Sequence, residues 1–153
     1  MFAPDQRQVR QFFCSAWRKR TEGLPLTPLE TLAADWIARH PEYHDVLANE
    51  DEAVAFQYTP ESGHENPFLH LSLHLSIQEQ VDIDQPRGIR AAWQALLART
   101  GSEHEASHAL IECLAHAIWQ SQRSGQPIDE QAYRRAIAEA AGLPPPAPDY
   151  RPR

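Results

Sequence analysis

Six of the eight histidines in this chain fall in pairs four residues apart: His40/His44, His70/His74 and His104/His108. Random placement would produce roughly 0.4 such pairs, and four residues is the spacing that stacks two side chains on one helix face. The last pair belongs to "HEASH", residues 104–108, which matches H-E-x-x-H. In that pattern two imidazoles hold zinc and the glutamate activates a bound water. On this reading His104 and His108 are ligands, Glu105 is the general base, and Glu112 or His116 is the third ligand. Imidazole and carboxylate together suit a divalent transition metal, zinc or iron first and nickel or manganese after them.

Positioning such groups needs helices, and the chain is patterned for them. Val9, Phe12, Phe13, Ala16 and Trp17 recur at helical spacing, with Gly23 as a stop. Thr27, Pro28 and Glu30 form a capping box ahead of an apolar face of Leu29, Leu32, Ala33, Trp36 and Ile37. His40-Pro41 ends that helix, because the residue before a proline is driven out of the helical region. "PEYHDVLAN" reads as a short helix, followed by a polar loop through Pro60, Gly63 and His64. Asn66-Pro67 opens a helix to about Val81, and Pro86 and Gly88 break the chain before "IRAAWQALLAR". Ser102 and Glu105 read as a second capping box, starting a helix that runs to about Arg123. Asp129 caps the last one, which ends near Gly142.

No hairpin signal and no internal repeat is present. The expectation is therefore an all-α helical bundle of five or six helices, one domain over residues 1–142. The remainder, 143–153, is Pro-rich and expected to be a disordered tail.

At 100° per residue His74 lies about 40° from His70, close to the direction of Ile77 and Val81. His104 and His108 bear the same relation to Ile111 and Ala115, with Glu112 at the stripe's edge. Each helix therefore points two imidazoles at the core. A buried imidazole without a partner costs on the order of 1–3 kcal/mol, so four converging ones call for a metal or a dense polar network. The expected metal set is His70, His74, His104, His108 and Glu112, with His44, His116 and His40 as further candidates. Pro41 interrupts the helix between His40 and His44, which sets that pair apart.

Composition excludes several classes. Net charge is −7, and eleven acids against one arginine occupy residues 27–82, so nucleic acid is not the expected partner. Residues 1–24 carry five basic groups and two acidic ones, a solvated face or an internal partner for the acidic stretch. No apolar run reaches the roughly 20 residues that a bilayer requires, and the N-terminus lacks a secretory pattern. A cytoplasmic protein is the expectation. Cys14 and Cys113 read as small core residues rather than as a redox pair.

Several runs together, "HPEYH", "NPFLHLSLHLSIQEQ", "DQPRGIRAAW", "HEASHALIECL" and "IWQSQRSG", resemble a family of small bacterial, mostly proteobacterial, proteins known as domain of unknown function 1841. The resemblance spans about Phe2 to Ile137. It implies a helical fold and transfers no catalytic residue. It also implies that glutamate commonly stands where this chain has Gln78, so a two-metal carboxylate centre is not expected here.

Three readings follow. In the first, the bundle binds a transition metal. In the second, it is an interaction module with a buried histidine and glutamate network, contacting a protein partner through its acidic 42–65 segment. The third, an H-E-x-x-H hydrolase, is disfavoured. Peptidases of that kind lay substrate along a strand edge, and Glu105 already has a capping task to perform. No G-x-S-x-G elbow or Gly-rich phosphate loop suggests other catalysis.

Overall fold

Why the chain folds locally as it does is written largely in its caps. A computed structural model describes residues 5–58 and 65–147. Among these, eight α-helices and one 3-10 turn form, and no strand. The chain divides into two compact units, Met1–Leu75 and Ser76–Arg153.

In the first unit α1 spans Gln6–Glu22 and opens with a capping box between Asp5 and Gln8. Gly23 closes it in the left-handed conformation, at φ 70°, which a side chain at that position would disfavour. Helix α2, Pro28–Ala38, starts with the expected Thr27–Glu30 box, both arms made at 2.9 and 3.1 Å. Pro41–Tyr43 is the 3-10 turn, and two short helices follow: α3, His44–Ala48, and α4, Glu50–Ala55. Helix α4 replaces part of the expected loop and raises the count above five or six. Its signal is Asn49, whose side chain caps the Glu52 amide, followed by the acids Glu50, Asp51 and Glu52, which favour a helix N-terminus.

The core of this unit gathers Phe13, Cys14, Ala16, Ala33, Trp36, Ile37, Tyr43, Leu47, Phe68 and Leu71. Leu29 and Leu32, expected on the buried face of α2, are exposed. The buried face is Ala33, Ala34, Trp36 and Ile37, with Glu30 drawn in by its cap and by Lys19 at 2.7 Å. The basic first helix does serve as an internal partner for the acidic stretch. Arg20 meets Asp35, and buried Arg10 donates from Nη1 to the carbonyls of Ala53, Val54 and Phe56. A cation there offsets the negative end of α4, which has no glycine cap.

Helix α5, Pro67–Ile83, begins at Asn66, whose Oδ1 accepts from the Phe68 and Leu69 amides. The second unit continues with α6 (Ile89–Thr100), α7 (Glu103–Ser124) and α8 (Glu130–Ala141), which pack on one another. The run "DQPRGIR" makes the turn between α5 and α6. Asp84 Oδ1 accepts from the amides of Gly88 and Arg90, while the Arg90 guanidinium donates to the Val81 and Asp82 carbonyls. Gly88, at φ 102°, is a position where only glycine avoids strain. Asp129 caps α8 as expected, and Gly125 and Gly142 end α7 and α8.

At α7 the second capping box is only half formed. The Ser102 side chain accepts from the Glu105 amide at 3.2 Å, but the Ser102 amide donates to Thr100 Oγ1 instead of the Glu105 carboxylate. The Thr100 hydroxyl, two residues back, has taken that donor. Of the expected tail, residues 143–147 are non-helical, and the Ala147 carbonyl accepts from buried Arg134 at 3.0 Å. Residues 148–153 lie outside the described residues, as do Pro60, Gly63 and His64 of the expected loop.

Candidate metal centre

The last turn of α2 leaves carbonyls without intrahelical donors, as every helix end does. The Trp36 and Ile37 carbonyls accept from the Arg39 and His40 amides just past the helix, and two histidine side chains add a second donor to each. His40 donates from Nδ1 to the Trp36 carbonyl at 2.7 Å, and His44 from Nε2 to the Ile37 carbonyl at 2.9 Å. Carbonyl oxygen only accepts, so these nitrogens carry the hydrogen. In a neutral His40 the lone pair is then on Nε2.

That lone pair faces α5. His40 Nε2 lies 3.2 Å from His70 Nε2, which lies 3.1 Å from His74 Nε2. Ligand nitrogens of His40 and His74 are within 4.8 Å of each other. Both of those rings are fully buried, at 1% and 0% exposure, whereas the His70 side chain keeps 17%. Their orientation is fixed by packing. His74 stacks on Trp36 at 4.1 Å between ring centres, and His40 lies parallel to Tyr43 at 5.3 Å. Tyr43 also meets the His70 ring edge-on at 6.1 Å.

The His40–His70 and His70–His74 separations, 3.2 and 3.1 Å, come close to what a metal imposes. Nitrogens bound tetrahedrally to zinc at 2.0–2.1 Å stand roughly 3.3–3.4 Å apart. Protons fit less well. With the His40 lone pair on one side and His74 on the other, a neutral His70 has at most one Nε2 hydrogen for two contacts. A cation at the meeting point takes all three lone pairs and removes that conflict.

His70 has a second partner. Its Nδ1 lies 3.8 Å from Glu65 Oε1, on the ring side opposite the meeting point. Burial first, and then the charge and hydrogen bond of Glu65 with Glu42 behind it, push the Tyr43 phenol well above its ordinary range.

His44 stacks on Trp17 at 4.4 Å, and with its Nε2 on a carbonyl it closes a helix rather than joining the triad. In the second unit His104 and His108 sit together on α7, ring centres 4.2 Å apart, both half-buried. They border the buried face instead of centring it. Ala106, Ser107, Leu110 and Leu114 occupy its middle, because the small Ala106 and Ser107 allow the closest approach. Glu105, Glu112 and His116 are exposed, and His116 stacks on Trp119 in an open groove with Cys113, Arg123 and Tyr133. Gln78 donates to Asp82 on its own helix. Cys14 and Cys113 are free thiols. Burial pushes the Cys14 thiol up to about 11, Glu50 adding to it, which makes it an inert core group.

Sequence reasoning set His40 apart because of Pro41 and missed Glu65 and Tyr43. The signal for His40 was available: a histidine just after a helix end can cap a carbonyl with one nitrogen and present the other. Glu65 carried no periodic signal.

These features define an all-helical protein carrying a buried histidine cluster. The chain belongs to the family described as a domain of unknown function, DUF1841, which matches residues 5–139. No curated protein and no solved structure matches it. None of the described helices is long and apolar enough to cross a membrane.

Proposed function

We propose that this protein binds a divalent transition metal through His40, His70 and His74, zinc or iron being the first candidates. The observation that carries this reading is the meeting of three Nε2 atoms with neighbouring contacts of 3.1 and 3.2 Å, while the outward Nδ1 atoms of His40 and His70 face a carbonyl and a carboxylate. Metal-bound histidines are held in this way through their second nitrogen. His104 and His108 are proposed as further ligands on the strength of their four-residue register, and Glu112, one turn on, as an outer addition. The family match runs through both units, which supports residues 1–142 as a single helical domain with 143–153 as its tail.

Elemental analysis of protein purified without a histidine tag tests the proposal. Wild type should carry near-stoichiometric metal, and the His70→Gln, His74→Gln and His108→Gln variants should lose most of it. Loss in the first two but not in His108→Gln would confine the site to the triad.

A second reading, an interaction module, has its own support. Among the described residues every buried side-chain nitrogen and oxygen has a hydrogen-bond partner without any ion. In the acidic 42–65 segment, moreover, Glu42, Glu52 and Glu65 surround a 340 Å³ hollow walled by Tyr43, Phe56 and Tyr58. Such a surface suits a basic protein segment. Metal-free wild type that zinc, iron, nickel and manganese all fail to stabilise would leave this reading in place.

A further inference from the structure

Resting on the metal reading above, we propose that Glu65 is the positioning carboxylate of the site, holding His70 from behind, and that Tyr43 holds Glu65. Three observations converge on this. His70 spends its Nε2 on the meeting point with His40 and His74, so Nδ1 must face outward, and Glu65 Oε1 is the carboxylate on that side at 3.8 Å. Glu65 adjoins Asn66, the cap of α5, where the helix N-terminus favours a negative charge and the cap limits where the backbone can go. Tyr43, buried in the core, lies against both His40 and His70, and the Glu65 carboxylate is near enough to its phenol to raise the phenol's pKa.

The chemical consequence follows from charge. A carboxylate facing Nδ1–H fixes the tautomer that leaves Nε2 bare, and makes that nitrogen a stronger donor to a cation. His40 and His70 then differ in kind: His40 is held by a neutral carbonyl and His70 by an anion, so the metal–nitrogen bond of His70 is stronger than that of His40. Because Glu65 is largely exposed, it also carries the site's link to solvent.

The test compares zinc affinity, by competition with a chromophoric chelator, in wild type, Glu65→Gln, Tyr43→Phe and His74→Gln. Glu65→Gln should bind zinc roughly 10–100-fold more weakly, in the range found when such outer partners are removed. Tyr43→Phe should weaken binding by less, in the same direction. The visible bands of the cobalt-substituted protein should shift in Glu65→Gln, and melting of the metal-free variant should match metal-free wild type. That combination is one a merely structural role would not produce. Unchanged zinc affinity in Glu65→Gln, with binding abolished in His74→Gln, would overturn this inference and leave the metal site standing. Wild type that binds no zinc, cobalt, iron, nickel or manganese would remove both.

Discussion

His40 donates from Nδ1 to the Trp36 carbonyl, four residues earlier, at 2.7 Å. The imidazole is rigid, so this bond turns Nε2 to the opposite side, 3.2 Å from His70 Nε2. One side chain thus ends α2 and presents a ligand atom to α5. His44 performs only the first of these tasks, on the Ile37 carbonyl.

Substitution should separate the two tasks. His40→Ala should lose metal and stability together. His44→Ala should keep its metal and lose on the order of 1 kcal/mol, the contribution of one hydrogen bond to a helix end. Metal per chain and urea midpoints, measured on the same samples, check this. Metal loss in His44→Ala would show that the cap itself is needed for the site.

Bound metal should also hold the fold. A ligand present at about 100 times its Kd adds about 2.7 kcal/mol. For a chain of this size that raises Tm by roughly 5–10 °C. A chelator should reverse the shift, and acidification should release the ion because the imidazoles must be neutral to bind it. Scanning calorimetry with and without zinc reads the effect.

Acid stability has a separate source in Glu30. The Lys19 ammonium, and then the Thr27 backbone amide, hold its carboxyl below the usual carboxylate range, burial opposing them. A depressed folded pKa gives stability that is complete above the unfolded value of about 4.3 and disappears as pH falls through the lower folded value. Glu30→Gln should therefore flatten the stability profile below about pH 4.5. Urea midpoints from pH 7 to pH 3, with chelator present throughout, measure it. A profile identical to wild type would mean that the Lys19 pair contributes nothing to acid stability.

Arg10 donates to three carbonyls at the end of α4, at 2.7–3.1 Å, and its guanidinium lies over the Tyr58 and Phe68 rings. Arg10→Met keeps much of the volume and removes the donors. The cost should be about 3 kcal/mol, since charged hydrogen bonds are lost and buried carbonyls are left behind. A change under about 0.5 kcal/mol, the level of an ordinary surface substitution, would show that α4 does not depend on this contact.

The H-E-x-x-H match should prove catalytically silent. Glu105 is exposed, and its carboxylate does not make the return arm of a capping box. Glu105→Gln should retain normal metal content and cost no more than about 0.3–1 kcal/mol, the worth of a charge at a helix N-terminus. Zinc-dependent cleavage of an unstructured peptide, abolished by this substitution, would restore the hydrolase reading.

Much of the fold was legible in the sequence because a cap acts within three or four residues of its helix end. Thr27, Asn66, Ser102 and Asp129 each accept from an amide two or three positions on. The pairing of His70 with His74, and of His104 with His108, is equally local, being set by the helix repeat. Only tertiary structure could decide which nitrogens meet. His40 reaches His70 across 30 positions, Arg10 reaches the α4 carbonyls across more than 40, and Ser102 gave its amide to Thr100 although the spacing favoured Glu105. These contacts depend on where one helix end lies against another and on which competing acceptor is nearer. Packing between helices sets both, and no periodicity within a single helix encodes them.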